Sequence, residues 1–239
     1  MKTQYGQYAG AERLNAGSEP SDQTMAMRTQ FRDRSEAGQL LAEKLVAYAN
    51  RRDVIVLALP RGGVPVAAEV ARRLNAPLDL VVVRKLGLPG EKELAMGAIA
   101  TGGVRVLNHE VVDSLRVPDK VIDAVTAQEQ RELERRERTY RDDRPPPVVK
   151  NRTVILVDDG IATGSTMFAA IAAVRNRGAG CIVVATPTIS RGTYEEMREV
   201  ADEVVAVIVP DAFNGVGQWY ADFSQTTDDE VRRLLGSVD

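Results

Sequence analysis

Val154-Ile155-Leu156-Val157-Asp158-Asp159-Gly160-Ile161-Ala162-Thr163-Gly164-Ser165-Thr166 is the stretch on which the fold turns. Its apolar start reads as a strand buried on both faces. Two adjacent carboxylates end the strand, and a turn of small residues follows. From Thr166 to Arg177 the chain reads as a helix that is apolar nearly all round, and so well buried. Strand, turn and helix are the unit of an open α/β sheet, whose ligands bind at the carboxyl ends of its strands. Free N–H groups at the helix start, with the hydroxyls of Thr163, Ser165 and Thr166, form an anion cradle that fits a phosphate monoester. Gly160 and Gly164 let the backbone approach closely. Asp158 and Asp159 would repel that phosphate, so they serve another part of the ligand. Ionised carboxylates only accept hydrogen bonds, and vicinal hydroxyls are their natural partners. Phosphate and diol together describe a phosphorylated sugar. The turn is not a Walker A loop, since no Gly-Lys-Ser/Thr follows, nor is it a Gly-x-Gly-x-x-Gly turn.

The same pattern recurs outward from this stretch. Residues 54–59, 78–83, 182–185 and 204–209 read as further buried strands. Ser35 opens a helix with Ala37, Leu40, Leu41, Leu45 and Tyr48 on one face. Pro65 suits the first turn of a helix that packs Ala67, Val70, Ala71 and Leu74. A short helix is expected near 193–201. Strands separated by helices imply an α/β fold, a parallel sheet with helices on both faces. Two segments interrupt the alternation. Residues 86–103 hold five glycines and Pro89, and read as a long loop or flexible hairpin of the kind that serves as a lid. Residues 117–141 read as a charged helix with little apolar stripe, solvated or facing a partner. Aromatics concentrate between Asp211 and Phe223: Phe213, Trp219, Tyr220 and Phe223.

The chain has 239 residues, 31 basic and 34 acidic side chains and a net charge of −3. That balance argues against general nucleic-acid binding. A single cysteine, Cys181, cannot form an internal disulfide and is expected buried. With one histidine, His109, most zinc sites are also removed. No apolar run reaches the roughly 18 residues of a membrane span, and the N-terminus has no apolar signal core. A cytoplasmic protein is expected, with neither nucleic acid nor membrane as partner. Residues 1–27 read as a mobile leader, with Met25 or Met27 as an alternative start.

Residues 154–166 resemble the phosphoribosyl pyrophosphate (PRPP) signature of the type I phosphoribosyltransferases, and the resemblance extends over roughly 31–223. It implies a transferase domain over 28–225, with a core of about 50–210, a hood from 28–50 and 211–225, and a C-terminal tail at 226–239. It gives Asp158 and Asp159 the ribose diol, and Gly160 and Ala162 through Thr166 (Ala162, Thr163, Gly164, Ser165, Thr166) the 5′-phosphate. Pro60-Arg61-Gly62-Gly63 is similar to the family's pyrophosphate loop, in which the bond before the cation is often a cis peptide. Arg84 and Lys85, at the end of the second strand, face the same crevice and would join Arg61 on the leaving pyrophosphate. Lid closure over 86–103 would deliver one of Glu91, Lys92 or Glu93. Val209-Pro210-Asp211-Ala212-Phe213 resembles a purine hood, with Phe213 stacking the acceptor beside Asp211, and Trp219 and Tyr220 as weaker matches.

The implied reaction moves a phosphoribosyl group from PRPP to a nitrogen acceptor, a nucleobase by class. Mg²⁺ would be held chiefly by PRPP oxygens and not by a protein cage. Alanine at 162 resembles adenine and uracil enzymes, whereas 209–213 points toward purine hoods, so the acceptor stays open. The helix at 117–141 fits neither group well and is similar to a bacterial branch apart from both. A PRPP-binding regulator without turnover is the alternative to an enzyme. A homodimer is compatible with either.

Overall fold

The computed structural model describes residues 30–141 and 145–237. The expected leader at 1–27 lies outside the described residues. Five parallel strands form the main sheet in the order β2-β1-β6-β7-β8: β1 (Val54–Ala58), β2 (Leu78–Leu80), β6 (Thr153–Val157), β7 (Cys181–Thr188) and β8 (Glu203–Ile208). The register runs Ala58 to Val157 to Ala185 across the centre, so β1 and β6 end side by side and β7 runs on to Thr188 at the same edge.

The continuous apolar runs are explained by burial on both faces. Val54, Val56 and Ala58 face α1 (Arg34–Lys44), α2 (Gly63–Leu74) and α7 (Asp228–Leu235). Ile55 and Leu57 face the side covered by α5 (Ser165–Asn176) and α6 (Arg191–Arg198). Every residue of β1 and β6 is buried. Asp33 caps α1 by accepting from the Glu36 amide at 2.8 Å. Asn75, at φ +51°, ends α2 in the left-handed region that asparagine tolerates.

The second expected strand is divided. Its apolar run leaves the main sheet after Leu80 and enters a separate antiparallel sheet, β3-β4-β5, built from β3 (Val83–Leu88), β4 (Glu91–Ala100) and β5 (Val104–Leu107). The buried Thr101 holds the crossing: its amide donates to the Val82 carbonyl at 2.9 Å, and its hydroxyl accepts from the Val82 amide at 2.8 Å. The glycine-rich segment 86–103 is mostly an antiparallel hairpin, with register shifts on both sides of Gly87 and a turn at Gly90, φ +93°.

A short helix α3 (His109–Ser114) leads into α4 (Asp119–Arg141). α4 is charged, as expected, yet it buries Ile122 and Leu133 against Val82, Leu86, Met96 and Ile99 of the small sheet. Segment 226–239, read as a tail, carries α7. Thr227 caps it by accepting from the Glu230 amide at 3.1 Å, and Val231 and Leu235 enter the core. Cys181 is half-buried at the start of β7 rather than enclosed.

Candidate functional site

β6 delivers Asp158 and Asp159 to the carboxyl edge of the sheet, and α5 starts seven residues after Asp158. Between them lies a cavity of about 160 Å³, lined by Asp158, Gly160 and residues 161–167, with Val216 opposite. The turn is anchored from behind. Ile161 donates its amide to the Thr188 carbonyl at 2.9 Å and accepts from the Ser190 amide at 3.0 Å. The Ala162 carbonyl accepts from Ser190 Oγ at 2.8 Å and from Thr193 Oγ1 at 2.6 Å. With that carbonyl held by α6, the following amides are left for a ligand. None of the amides of residues 162–166 donates to a protein group among the described residues. Gly164 stands at φ +69°, and a Cβ on Gly160 would lie 2.3 Å from Val216 Cγ1, so both positions need glycine. The arrangement is an anion cradle at the start of a three-turn helix.

The two carboxylates have different neighbours. Asp158 faces the cavity, and its Oδ1 accepts from the Asp159 amide at 2.9 Å. Close enclosure by protein pushes its carboxyl well above the usual carboxylate range, and the charge of Asp159 adds to the shift. Asp159 turns away, and its Oδ2 accepts from Arg34 Nε at 2.8 Å, with both side chains largely buried. Arg34 also donates to the Ser224 carbonyl at 2.6 Å, and its guanidinium lies 4.1 Å from the Phe223 ring centroid. Tyr220 donates its hydroxyl to the Asp159 carbonyl at 2.5 Å.

The loop after β1 closes on the same acids. A Cβ on Gly62 would sit 2.0 Å from Asp159 Oδ2, and one on Gly63 would sit 2.6 Å from the Val157 carbonyl. The Pro60–Arg61 peptide is cis, as the resemblance implied. Arg61 Nη1 lies 3.7 Å from Asp228 Oδ1 on α7, with both side chains partly exposed.

The other expected cations do not share one crevice. Strand alternation sends neighbouring side chains to opposite faces. Arg84 points to α4, where Glu129 Oε2 accepts from its Nε at 2.8 Å. Lys85 lines a separate cavity against α5. Phe213 is half-buried, its ring 6.2 Å from that of Trp219. Asp211 is exposed and paired with Arg191 at 2.6 Å. Glu91 is exposed at the start of β4, and the side chains of Lys92 and Glu93 lie outside the described residues.

Four contributors escape a reading of the sequence: Arg34, the Tyr220 hydroxyl, Ser190 and Thr193. Ser190-x-x-Thr193 at a helix start is a local signal, because such hydroxyls seek backbone partners. Arg34 has none, since its partner lies 125 positions away. Among the described residues no group of three acidic, histidine or cysteine side chains is placed to hold a metal ion. Asp158 is the carboxylate that lines the cavity, together with Thr163, Ser165 and Thr166.

A family model described as a phosphoribosyl transferase domain matches residues 30–224. Two curated Mycobacterium tuberculosis proteins, from strains CDC 1551 and H37Rv, are each provisionally named a phosphoribosyl transferase. Each is 47% identical over 205 residues, covering 86% of this chain and 46% of its own length. The chain thus spans about half the length of these curated relatives. The crystal structure of TT1426 from Thermus thermophilus is 44% identical, with a TM-score of 0.77 over 86% of this chain and 97% of that one.

Proposed function

The chain belongs to the phosphoribosyl transferase domain family, and from that membership we propose that it moves the 5-phosphoribosyl group of PRPP to a nitrogen acceptor, a nucleobase by class. The observation that supports this best is the cradle: five consecutive amides with no acceptor among the described residues, on a cavity lined also by Asp158. A phosphate monoester satisfies those amides and meets the positive end of α5. Asp158 then meets the ribose diol directly, and Asp159 supports it from beside Gly62.

In the proposed reaction the bond from C1′ to the pyrophosphate oxygen breaks, and the leaving group takes both electrons. A C1′–N bond forms, and the acceptor nitrogen gives up a proton. The transition state resembles an oxocarbenium ion. The protein's part is electrostatic: Arg61 at the loop after β1 faces developing negative charge on pyrophosphate, and Arg84 joins it when released from Glu129. When bound, Mg²⁺ neutralises phosphate charge. The hairpin of β3 and β4 acts as the lid that keeps water from the activated sugar. Phe213 and Asp211 serve the acceptor. In this reading the hood is formed by 28–50 and 211–225 over a core of about 50–210. A cytoplasmic location goes with it, and among the described residues no helix is long and apolar enough to cross a membrane.

A PRPP-binding regulator is the second reading. It is favoured by the Arg84–Glu129 pair, which already neutralises one of the expected leaving-group cations. One experiment separates the two. The protein is incubated with PRPP, Mg²⁺ and a panel of nucleobases while pyrophosphate release is followed, and PRPP binding is measured by calorimetry. Release with at least one base is expected, together with a loss of PRPP affinity of about a hundredfold in Asp158→Asn. Binding without release across the panel moves the chain to the regulators. Equal affinity in wild type and variant removes both readings.

A further inference from the structure

A second cavity, of about 310 Å³, lies between the small sheet and the face of α5 turned from the main sheet. Small residues of β4, Ala95 and Ala98, leave the space open, and Phe168 on α5 forms the facing wall. Three polar residues line it: Lys85, Asn108 and Ser165. Lys85 makes no hydrogen bond or ion pair with any described residue and carries the charge at this site. Asn108 spends its carbonyl oxygen on the Val111 amide at 3.3 Å, which leaves its NH₂ to donate.

The size is at the low end of small-molecule sites, which run from about 300 to 1,000 Å³. The walls exclude two classes of occupant. A bare phosphate or pyrophosphate would lose water against Leu107 and Phe168 with one cation to compensate. A neutral apolar molecule would displace water from Lys85 and the Asn108 amide and offer them no acceptor. We propose that this cavity is a second ligand site, for a small organic anion with a flat apolar body. Its acid group meets Lys85 and Asn108, and its ring lies between Phe168 and the alanines of β4.

The site adjoins the cradle. Ser165 lines both cavities. The Phe168 ring edge, Cε2, stands 2.9 Å from the point where a Cβ on Gly164 would lie. A ligand that presses on Phe168 therefore presses on the turn that presents the phosphate-facing amides, and it also ties the hairpin to α5. Occupancy of the two cavities is coupled, in either direction equally.

The probe is 2-naphthoate, titrated by calorimetry into the full chain with no phosphoribosyl donor present. One site per chain is expected, with binding about fivefold weaker for the neutral 2-naphthamide. Ala169→Leu and Ala95→Leu fill the cavity from opposite walls, and each should weaken 2-naphthoate by about tenfold or more. Thermal midpoints identify the variants that fold. Lys85→Gln, exposed on β3, keeps the test decisive if neither filling variant does, with a loss of about fivefold expected. Equal affinity in wild type and any folded variant, equal affinity for acid and amide, or no saturable binding to wild type overturns the proposal. Failure to bind or turn over PRPP would leave these outcomes untouched, so the two readings fall separately.

Discussion

Asp158 bears the conflict between folding and binding at this site. Its carboxyl is enclosed by protein, and Asp159 stands beside it; both effects raise its proton affinity in the folded state. The folded chain then holds a proton that the unfolded chain has released, so stability falls as pH rises from the unfolded value of about 4 toward the raised folded value. Asparagine keeps the acceptor for the Asp159 amide without the charge. Asp158→Asn should therefore be more stable than wild type at neutral pH, by about 1 kcal/mol or 2–4 °C in Tm, with a flatter dependence of Tm on pH. Melting curves from pH 4 to 8 check this, and a lower Tm at pH 7–8 would show that the charge is well compensated. The acid pair was legible in the sequence because type, order and position after a buried strand all pointed one way. The division of labour inside the pair was not, since Arg34 reaches Asp159 only through the folded chain.

Among the elements, α6 acts on the cradle without lining it. Its first turn supplies two hydroxyls to one carbonyl, that of Ala162, and so turns the next amides toward the cavity. Thr193→Val removes one of those donors from a buried position while keeping the shape. A loss of about 1 kcal/mol in stability is expected, with phosphate affinity at the cradle reduced about fivefold. Calorimetry with inorganic phosphate measures it, and unchanged affinity would mean that Gly164 and the start of α5 hold the turn unaided. The strand-helix order of the main sheet was legible because buried parallel strands leave long apolar runs. The split at residues 80–83 was hidden by the same property: the run continues across the break, and the residue that causes it, Thr101, lies 19 positions on. α4 was read as solvated or facing a partner because its apolar residues are sparse, yet Ile122 and Leu133 pack it on the small sheet.

At the scale of the molecule, residues 31–34 and 219–224 form a clasp over the acid pair. Phe31 donates its amide to the Trp219 carbonyl at 2.7 Å and accepts from the Ala221 amide at 2.8 Å. Phe31 and Tyr220 are buried together, with ring centroids 5.4 Å apart. Arg34 completes the clasp by joining Asp159 to the Ser224 carbonyl. Both members of the ion pair are largely buried, so removing one strands the other. Arg34→Gln should cost about 3 kcal/mol. In the double variant Arg34→Gln/Asp159→Asn most of that loss should return, giving a coupling energy of about 2 kcal/mol from denaturant unfolding of the four proteins. A coupling below about 0.5 kcal/mol would mean that aromatic packing and the backbone bridge hold the two segments, with the ion pair incidental. A large coupling would make the geometry of Asp159, and with it the loop at Gly62, depend on the joining of residues 31–34 to 219–224. Loosening either segment would then weaken ligand binding even where no residue of the cradle had changed.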